Sequence, residues 1–314
     1  MEKVRDKKKF ICRKQRRIAE IEVFDGCNAK CVVCPRGLGL ISNPNVPMDF
    51  DLFKQIIDKC VKLNVEGVAL FNWGDPLLHK DLAKFCEYAH ERMEVYLSTN
   101  LCMKADFQNI LKNITSMSIS VSGFNQNTYE INHRGLNIER VKKNIKIIEG
   151  ILRNLNKKPY IELKWFDYPY NKGELDLWKN FLDLDLINIY VVKGNFDPIL
   201  NNEKIKNGEP FTNEDEYMGR VFTGGYKEKL VSLTYCNYVH KFTIDIKGRL
   251  LLCCEPMYDE RMVIGDFLKD DINEMQIKKL LHRQCIFCDV NINTEQLNLL
   301  RKKELEAIKN KTFL

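Results

Sequence analysis

The sequence predicts an α/β fold, six βα units on a parallel sheet followed by a small α+β unit. Three observations predict it. Short apolar runs alternate with longer amphipathic ones, the pattern of strands and helices in βα units. Four polar motifs each fall at the end of an apolar run, on the edge where parallel strands open into loops. After about residue 193 the alternation gives way to a polar, Asn- and Gly-containing stretch, and a hairpin signature follows it.

The first strand is placed at 18–24, followed by a helix at 50–62. The next units are strand 67–71 with helix 81–92, strand 95–99 with helix 106–111, and strand 116–121 with helix 138–155. Strand 160–166, helix 175–182 and strand 187–192 complete the six. Beyond them, Phe242-Thr243-Ile244-Asp245-Ile246 and Arg249-Leu250-Leu251-Leu252 flank Lys247-Gly248 as a β-hairpin, with helical stretches after it. The implied organisation is a basic tail at 1–17, a main unit at 18–200, a linker at 201–230 and a small α+β unit at 231–314.

Composition narrows the function classes. A 45% hydrophobic and 29% charged chain of 314 residues suits a globular protein. No apolar run approaches the roughly 18 residues that span a bilayer, and no secretory signal is visible, so a cytoplasmic protein without a membrane span is expected. Twelve cysteines in reducing surroundings point to metal ligation rather than disulfides. Residues 1–17 hold nine basic and two acidic side chains, a surplus of +7 that exceeds the chain's net charge of +6 and leaves −1 for the rest. Without interleaved aromatics, that tail reads as a solvated arm and not a nucleic-acid site.

The sharpest motif follows the first strand. Cys27, Cys31 and Cys34 lie within eight residues, after Gly26, which favours a tight turn. A closed zinc site needs four ligands, and no fourth Cys or His lies nearby. Three thiolates on a [4Fe–4S] cluster leave one iron open for a reactant.

This spacing resembles the radical S-adenosylmethionine superfamily, and the resemblance spans roughly residues 18–290. It implies a partial (β/α)6 TIM-like barrel, a [4Fe–4S] cluster with one open iron, and S-adenosylmethionine as cofactor. It also implies a low-potential electron donor such as flavodoxin or ferredoxin. Where that family has Gly-Gly-Glu-Pro, this chain has Trp73-Gly74-Asp75-Pro76. The resemblance assigns Gly74, Asp75 and Pro76 to the methionine ammonium, and Ser98 and Asn100 of Ser98-Thr99-Asn100 to the ribose. It assigns Ser120 and Arg134 to the methionine carboxylate, and Val33, where the family usually has an aromatic residue or His, to the adenine.

The C-terminal part offers a second constellation, Cys236, Cys253, Cys285 and Cys288. Its spacing alone does not choose between zinc and iron–sulfur. It resembles the SPASM/twitch-like domain that follows many such barrels, which implies an auxiliary [4Fe–4S] cluster. Cys60 and Cys86 read as ordinary buried thiols, and Cys12 has no assigned role.

The resemblance then implies a 5′-deoxyadenosyl radical and a two-electron oxidation of a small-molecule, carbohydrate-like substrate, a sugar or aminocyclitol secondary alcohol. A peptide cross-linking maturase and a zinc-stabilised binding protein are the competing readings. No catalytic residue is named by the sequence, although Lys164, Asp167, Lys193 and His133 fall on the appropriate edge.

Overall fold

The computed structural model describes residues 17–34, 36, 37, 39, 41–193, 241–253 and 262–281. The chain begins with β1 (Ile18–Ile21), then a short ribbon of β2 (Phe24–Asp25) and β3 (Val46–Pro47). Five βα units follow in part or whole: α1 (Phe50–Lys62), β4 (Gly67–Ala69), α2 (Leu82–His90), β5 (Glu94–Thr99), α3 (Phe107–Lys112) and β6 (Ser116–Val121). Next come α4 (Gln126–Asn132), α5 (Ile138–Asn154), β7 (Tyr160–Asp167), α6 (Glu174–Phe181) and β8 (Asn188–Lys193). The C-terminal part supplies β9 (Phe242–Ile244), β10 (Arg249–Leu251), β11 (Val263–Asp266) and a last helix, α7 (Ile272–Leu281).

Among the described residues one nine-stranded sheet runs β11-β10-β9-β1-β4-β5-β6-β7-β8. From β1 to β8 every pairing in it is parallel and in chain order, as βα units with crossover helices require. The predicted hairpin forms with Gly248 at φ +78° and joins this same sheet, because β9 pairs in parallel with β1. The expected domain limits at 200/201 and 230/231 lie outside the described residues, as does the tail before Arg17.

Local chemistry explains the elements. In α1, Phe53, Ile56, Ile57 and Cys60 form one buried stripe. Its N-cap Asp49 accepts from the N–H groups of Asp51 and Leu52, and Lys59 and Lys62 sit at the negative end. Asn137 caps α5 in the same way.

Two expectations shift. The run 18–24 is not one strand: beyond Ile21 the chain leaves the sheet, Val23 accepts from Met48 N–H, and Phe24–Asp25 pair with β3 instead. The loop carrying Tyr129 contains the unexpected helix α4, whose two buried side chains are too few to give a periodic signal.

Alternation gives β5, β6 and β7 two unlike faces. Leu97, Met117 and Ile161 share one register row, and Thr99, Ile119 and Leu163 another, all buried. Apart from Thr99, these rows join the apolar core formed with the buried faces of α3 and α5. The opposite face carries Ser98, Ser118, Glu162 and Asn188 in one row and Ser120, Lys164 and Tyr190 in the next. None of those seven side chains is a fully buried residue. No helix among the described residues is long and apolar enough to cross a membrane.

Candidate metal and cofactor site

The β2–β3 ribbon ends at Gly26, and the cysteine loop starts there. Gly26 is needed for space and not for an unusual φ: a Cβ on it would lie 2.6 Å from Asn45 Oδ1 and 2.9 Å from Asn45 Cα. Asn43 then brackets Cys27, its Oδ1 accepting from Cys27 N–H at 2.8 Å and its Nδ2 donating to Cys27 O at 3.0 Å. The loop closes on itself through Cys34 N–H to Cys31 O at 3.2 Å. Gly37 packs so closely that a Cβ would sit 2.1 Å from Cys31 O.

From outside, the loop is pinned by the segment after α4. Lys30 N–H donates to Arg134 O at 2.9 Å and Val32 N–H to Asn132 O at 3.2 Å. Arg36 pins it from below. Its buried guanidinium donates to Asp25 Oδ1 at 2.6 Å, to Trp73 O at 3.1 Å and to Ser42 O. Glu22 Oε1 stands 3.5 Å from the same guanidinium. Burial raises the Glu22 carboxyl to about 8, with Asp25 adding to the rise and Arg36 opposing it.

The three thiols interact electrostatically with one another. Burial raises Cys27 to about 12, helped by the Asp75 carboxylate and by Cys34, and burial with Cys34 and Cys27 raises Cys31 as well. Among the described residues, no three ligating side chains converge on one ion. Three soft donors on one tight, mostly desolvated loop suit a cluster, whose ligand sulfurs each bind a different iron.

The residues expected at the cofactor gather around this loop. Gly74 is pressed against the first ribbon strand, since a Cβ there would meet Phe24 O at 1.8 Å. Asp75 N–H donates to Gly26 O at 2.9 Å, and Pro76 opens a 3₁₀ turn capped by Asp75. The Asp75 carboxylate is turned inward: it accepts from Leu77 N–H at 3.0 Å, Thr99 Oγ1 at 2.9 and 3.0 Å, and Asn100 N–H at 2.8 Å. Burial raises its pKa against those hydrogen bonds. Ser98 and Ser120 stand on the polar face, and Arg134 is exposed. Asn100 directs its amide at Cys27 and Asn28. Val33 packs in a small cluster with Val32, Ile131, Phe166, Tyr168 and Tyr170, so aromatic surface reaches it from β7 and the loop beyond.

Sequence reasoning missed Arg36, Asn43, Gly37 and the buried Ser122–His133 pair. A signal existed only for Arg36 and Gly37, an arginine and a glycine two and three residues past the last cysteine. Of the second constellation, Cys253 follows β10 and is half-buried, while Cys236, Cys285 and Cys288 lie outside the described residues, as do Cys12 and Cys254. Cys60 and Cys86 are fully buried thiols of α1 and α2, as expected.

A parallel sheet with three thiols looped at one strand end, beside polar groups from the next strands, defines an α/β protein with a thiol-rich loop at its sheet edge. Residues 21–154 match the Radical SAM superfamily. That match implies S-adenosylmethionine and a [4Fe–4S] cluster as cofactors.

Solved structures share the fold. The structure of anSMEcpe with bound AdoMet is 14% identical, covers 94% of this chain and 97% of its own, and has a TM-score of 0.55. SuiB of Streptococcus suis bound to the precursor peptide SuiA is 15% identical over 82% of this chain and 63% of its own, at 0.56. BtrN in complex with AdoMet and 2-DOIA is 17% identical over 95% and 90%, at 0.48, too low to bear on the argument. Among curated proteins, no sequence matches the chain.

Proposed function

We propose that this radical SAM enzyme is an oxidoreductase that dehydrogenates a secondary alcohol of a sugar or aminocyclitol. Cys27, Cys31 and Cys34 hold the cluster in this reading. When bound, the cluster and S-adenosylmethionine supply a radical able to take hydrogen from unactivated carbon. The observation that carries the substrate class is the polar face of β5–β8, where Ser98, Ser118, Ser120, Glu162, Lys164 and Asn188 stand in register. Such a surface offers hydroxyl, carboxylate, amide and ammonium partners to a ligand rich in hydroxyls.

The residues divide the work. Ser120 and exposed Arg134 suit a carboxylate partner, the methionine end of the cofactor. Lys164, one register position across from Ser120, suits an oxygen of the substrate. Cys253 with Cys236, Cys285 and Cys288 would hold a second cluster, which would supply an acceptor for one electron; with one hydrogen atom passed to the 5′-deoxyadenosyl group and the hydroxyl proton to solvent, the alcohol would become a ketone.

A second reading, modification of a peptide, draws on SuiB, whose complex contains a precursor peptide. Anaerobic incubation with S-adenosylmethionine, reductant, a panel of cyclitols and sugars, and a peptide, read by mass spectrometry, tests both. Loss of two hydrogens from a cyclitol or sugar supports the first reading, and a change confined to the peptide sinks it. A colourless protein holding zinc without iron or sulfide, even after reconstitution, removes the radical chemistry altogether.

A further inference from the structure

Asn100 follows the last residue of β5 and is 7% exposed. Its Oδ1 accepts the N–H of Cys102 at 2.8 Å, and since an N–H must face an oxygen, this contact fixes which end of the amide points where. The NH2 end is therefore directed at Cys27 Sγ, 3.7 Å away, and at Asn28 Oδ1, 2.8 Å away. Ala29 N–H is the second donor to that sulfur, at 3.4 Å. Among the described residues, Asn100 has the side-chain amide that donates to any of the three loop thiols.

The turn around Asn100 is built to hold this aim. Asp75 accepts its backbone N–H, and Thr99, also held by Asp75, accepts from Leu101 N–H at 2.9 Å. Leu101 sits at φ +56°, a conformation costly for leucine, and Asn144 Nδ2 ties down its carbonyl and that of Met103, both at 2.8 Å. Three side chains, Asp75, Thr99 and Asn144, thus fix one amide group beside one sulfur.

We infer that Asn100 donates a hydrogen bond to the Cys27 ligand sulfur and thereby raises the reduction potential of the cluster, a role different from contact with the ribose. Reduction by one electron adds negative charge that spreads onto the ligand sulfurs, so a fixed N–H dipole stabilises the reduced form more than the oxidised one. In a mostly desolvated loop that dipole is weakly screened. Asn28 Oδ1 takes the second hydrogen of the same NH2, which leaves one for the sulfur. The inference rests on Cys27 being a cluster ligand.

The test uses the full chain, reconstituted anaerobically, with iron and sulfide counted before a dithionite titration followed by electron paramagnetic resonance. Asn100→Leu removes the donor, and Asn100→Ser removes it while keeping an oxygen for Cys102 N–H. Both are expected to load like the parent, to bind S-adenosylmethionine as tightly, and to show a more negative midpoint. Asn28→Ala, which removes the acceptor of the other amide hydrogen and leaves the donor to Cys27 in place, is expected to keep the parent midpoint. An unchanged midpoint in the Asn100 variants, together with weakened S-adenosylmethionine binding, overturns the inference in favour of the ribose. Failure of both to load also counts against it, since loss of a donor leaves all three thiols in place. Full iron retention by Cys27→Ala would instead sink the ligand reading beneath it, a separate outcome.

Discussion

The Ser122 hydroxyl and the His133 Nδ1 lie 2.6 Å apart, both side chains buried, and join the end of β6 to the end of α4. The imidazole stacks on Tyr129 with centroids 4.8 Å apart and planes 5° from parallel. On either side of His133, the carbonyls of Asn132 and Arg134 receive the N–H groups of Val32 and Lys30. This buried pair therefore holds the main-chain bracket of the cysteine loop.

Burial lowers the His133 pKa to about 4 from an ordinary 6.5, so the folded chain holds this ring neutral. The unfolded chain then binds the extra proton between those values, and stability must rise with pH across that window. The contribution is intact above about 6.5, falls as pH drops below it, and levels off near 4, with roughly 3 kcal/mol at stake. Urea unfolding of the metal-free chain at pH 7 and 5 measures it. His133→Gln should flatten this part of the pH dependence, and an undiminished slope in that variant would assign it elsewhere.

Arg36→Met should cost about 3–5 kcal/mol, because it strands the Asp25 carboxylate and the nearby Glu22 inside the protein. The guanidinium also ties Trp73 and Ser42 carbonyls to the cysteine loop, so iron uptake on reconstitution should fall with it. Adding Asp25→Asn to Arg36→Met should recover part of the stability. No recovery would show that the carbonyl contacts dominate.

The fold was legible because its strands obey two plain rules. The strand 116–121 was bounded correctly from Ser-Met-Ser-Ile-Ser-Val alone, since strict alternation reports one packed and one polar face. Helix α1 was equally clear from its stripe of Phe53, Ile56, Ile57 and Cys60. The site was legible only as far as local spacing reaches. Nothing near Asn100 in the sequence announces Cys27, 73 positions away, and nothing near Ser122 announces a bond to His133 in a helix too short for periodicity. The motif of Asp75 resembles a ligand contact, and nothing near it in the sequence announces that its carboxylate oxygens also meet Thr99 and Asn100, a pairing that the adjacency of β4 and β5 creates.

Two glycines should respond oppositely to alanine. At Gly74 the added methyl would meet the Phe24 carbonyl at 1.8 Å, a main-chain atom that cannot rotate away. Gly74→Ala should lose roughly 3 kcal/mol and disturb the Asp75 turn with it. Gly150 lies inside α5 with nothing within 4 Å of a new Cβ, so Gly150→Ala should gain about 0.5–1 kcal/mol. Thermal unfolding of the two variants compares them directly, and equal shifts of one sign would contradict the packing around Gly74.

Lys164 presents an amine on the polar face of β7 that, among the described residues, has no hydrogen bond or ion pair. Its ammonium lies 5.2 Å from the Phe166 ring centroid, and desolvation lowers its pKa against the attraction of Glu162. A largely buried cation without a paired anion is a cost to folding, so its removal should not destabilise the protein. Lys164→Met keeps the aliphatic stem over Phe166 and deletes the charge. The expected result is an unchanged or higher Tm, unaltered cleavage of S-adenosylmethionine without substrate, and a KM for the alcohol raised at least tenfold. A lower Tm with unaltered KM would make Lys164 a partner of the fold instead, and would remove the strongest positive group from the proposed substrate face.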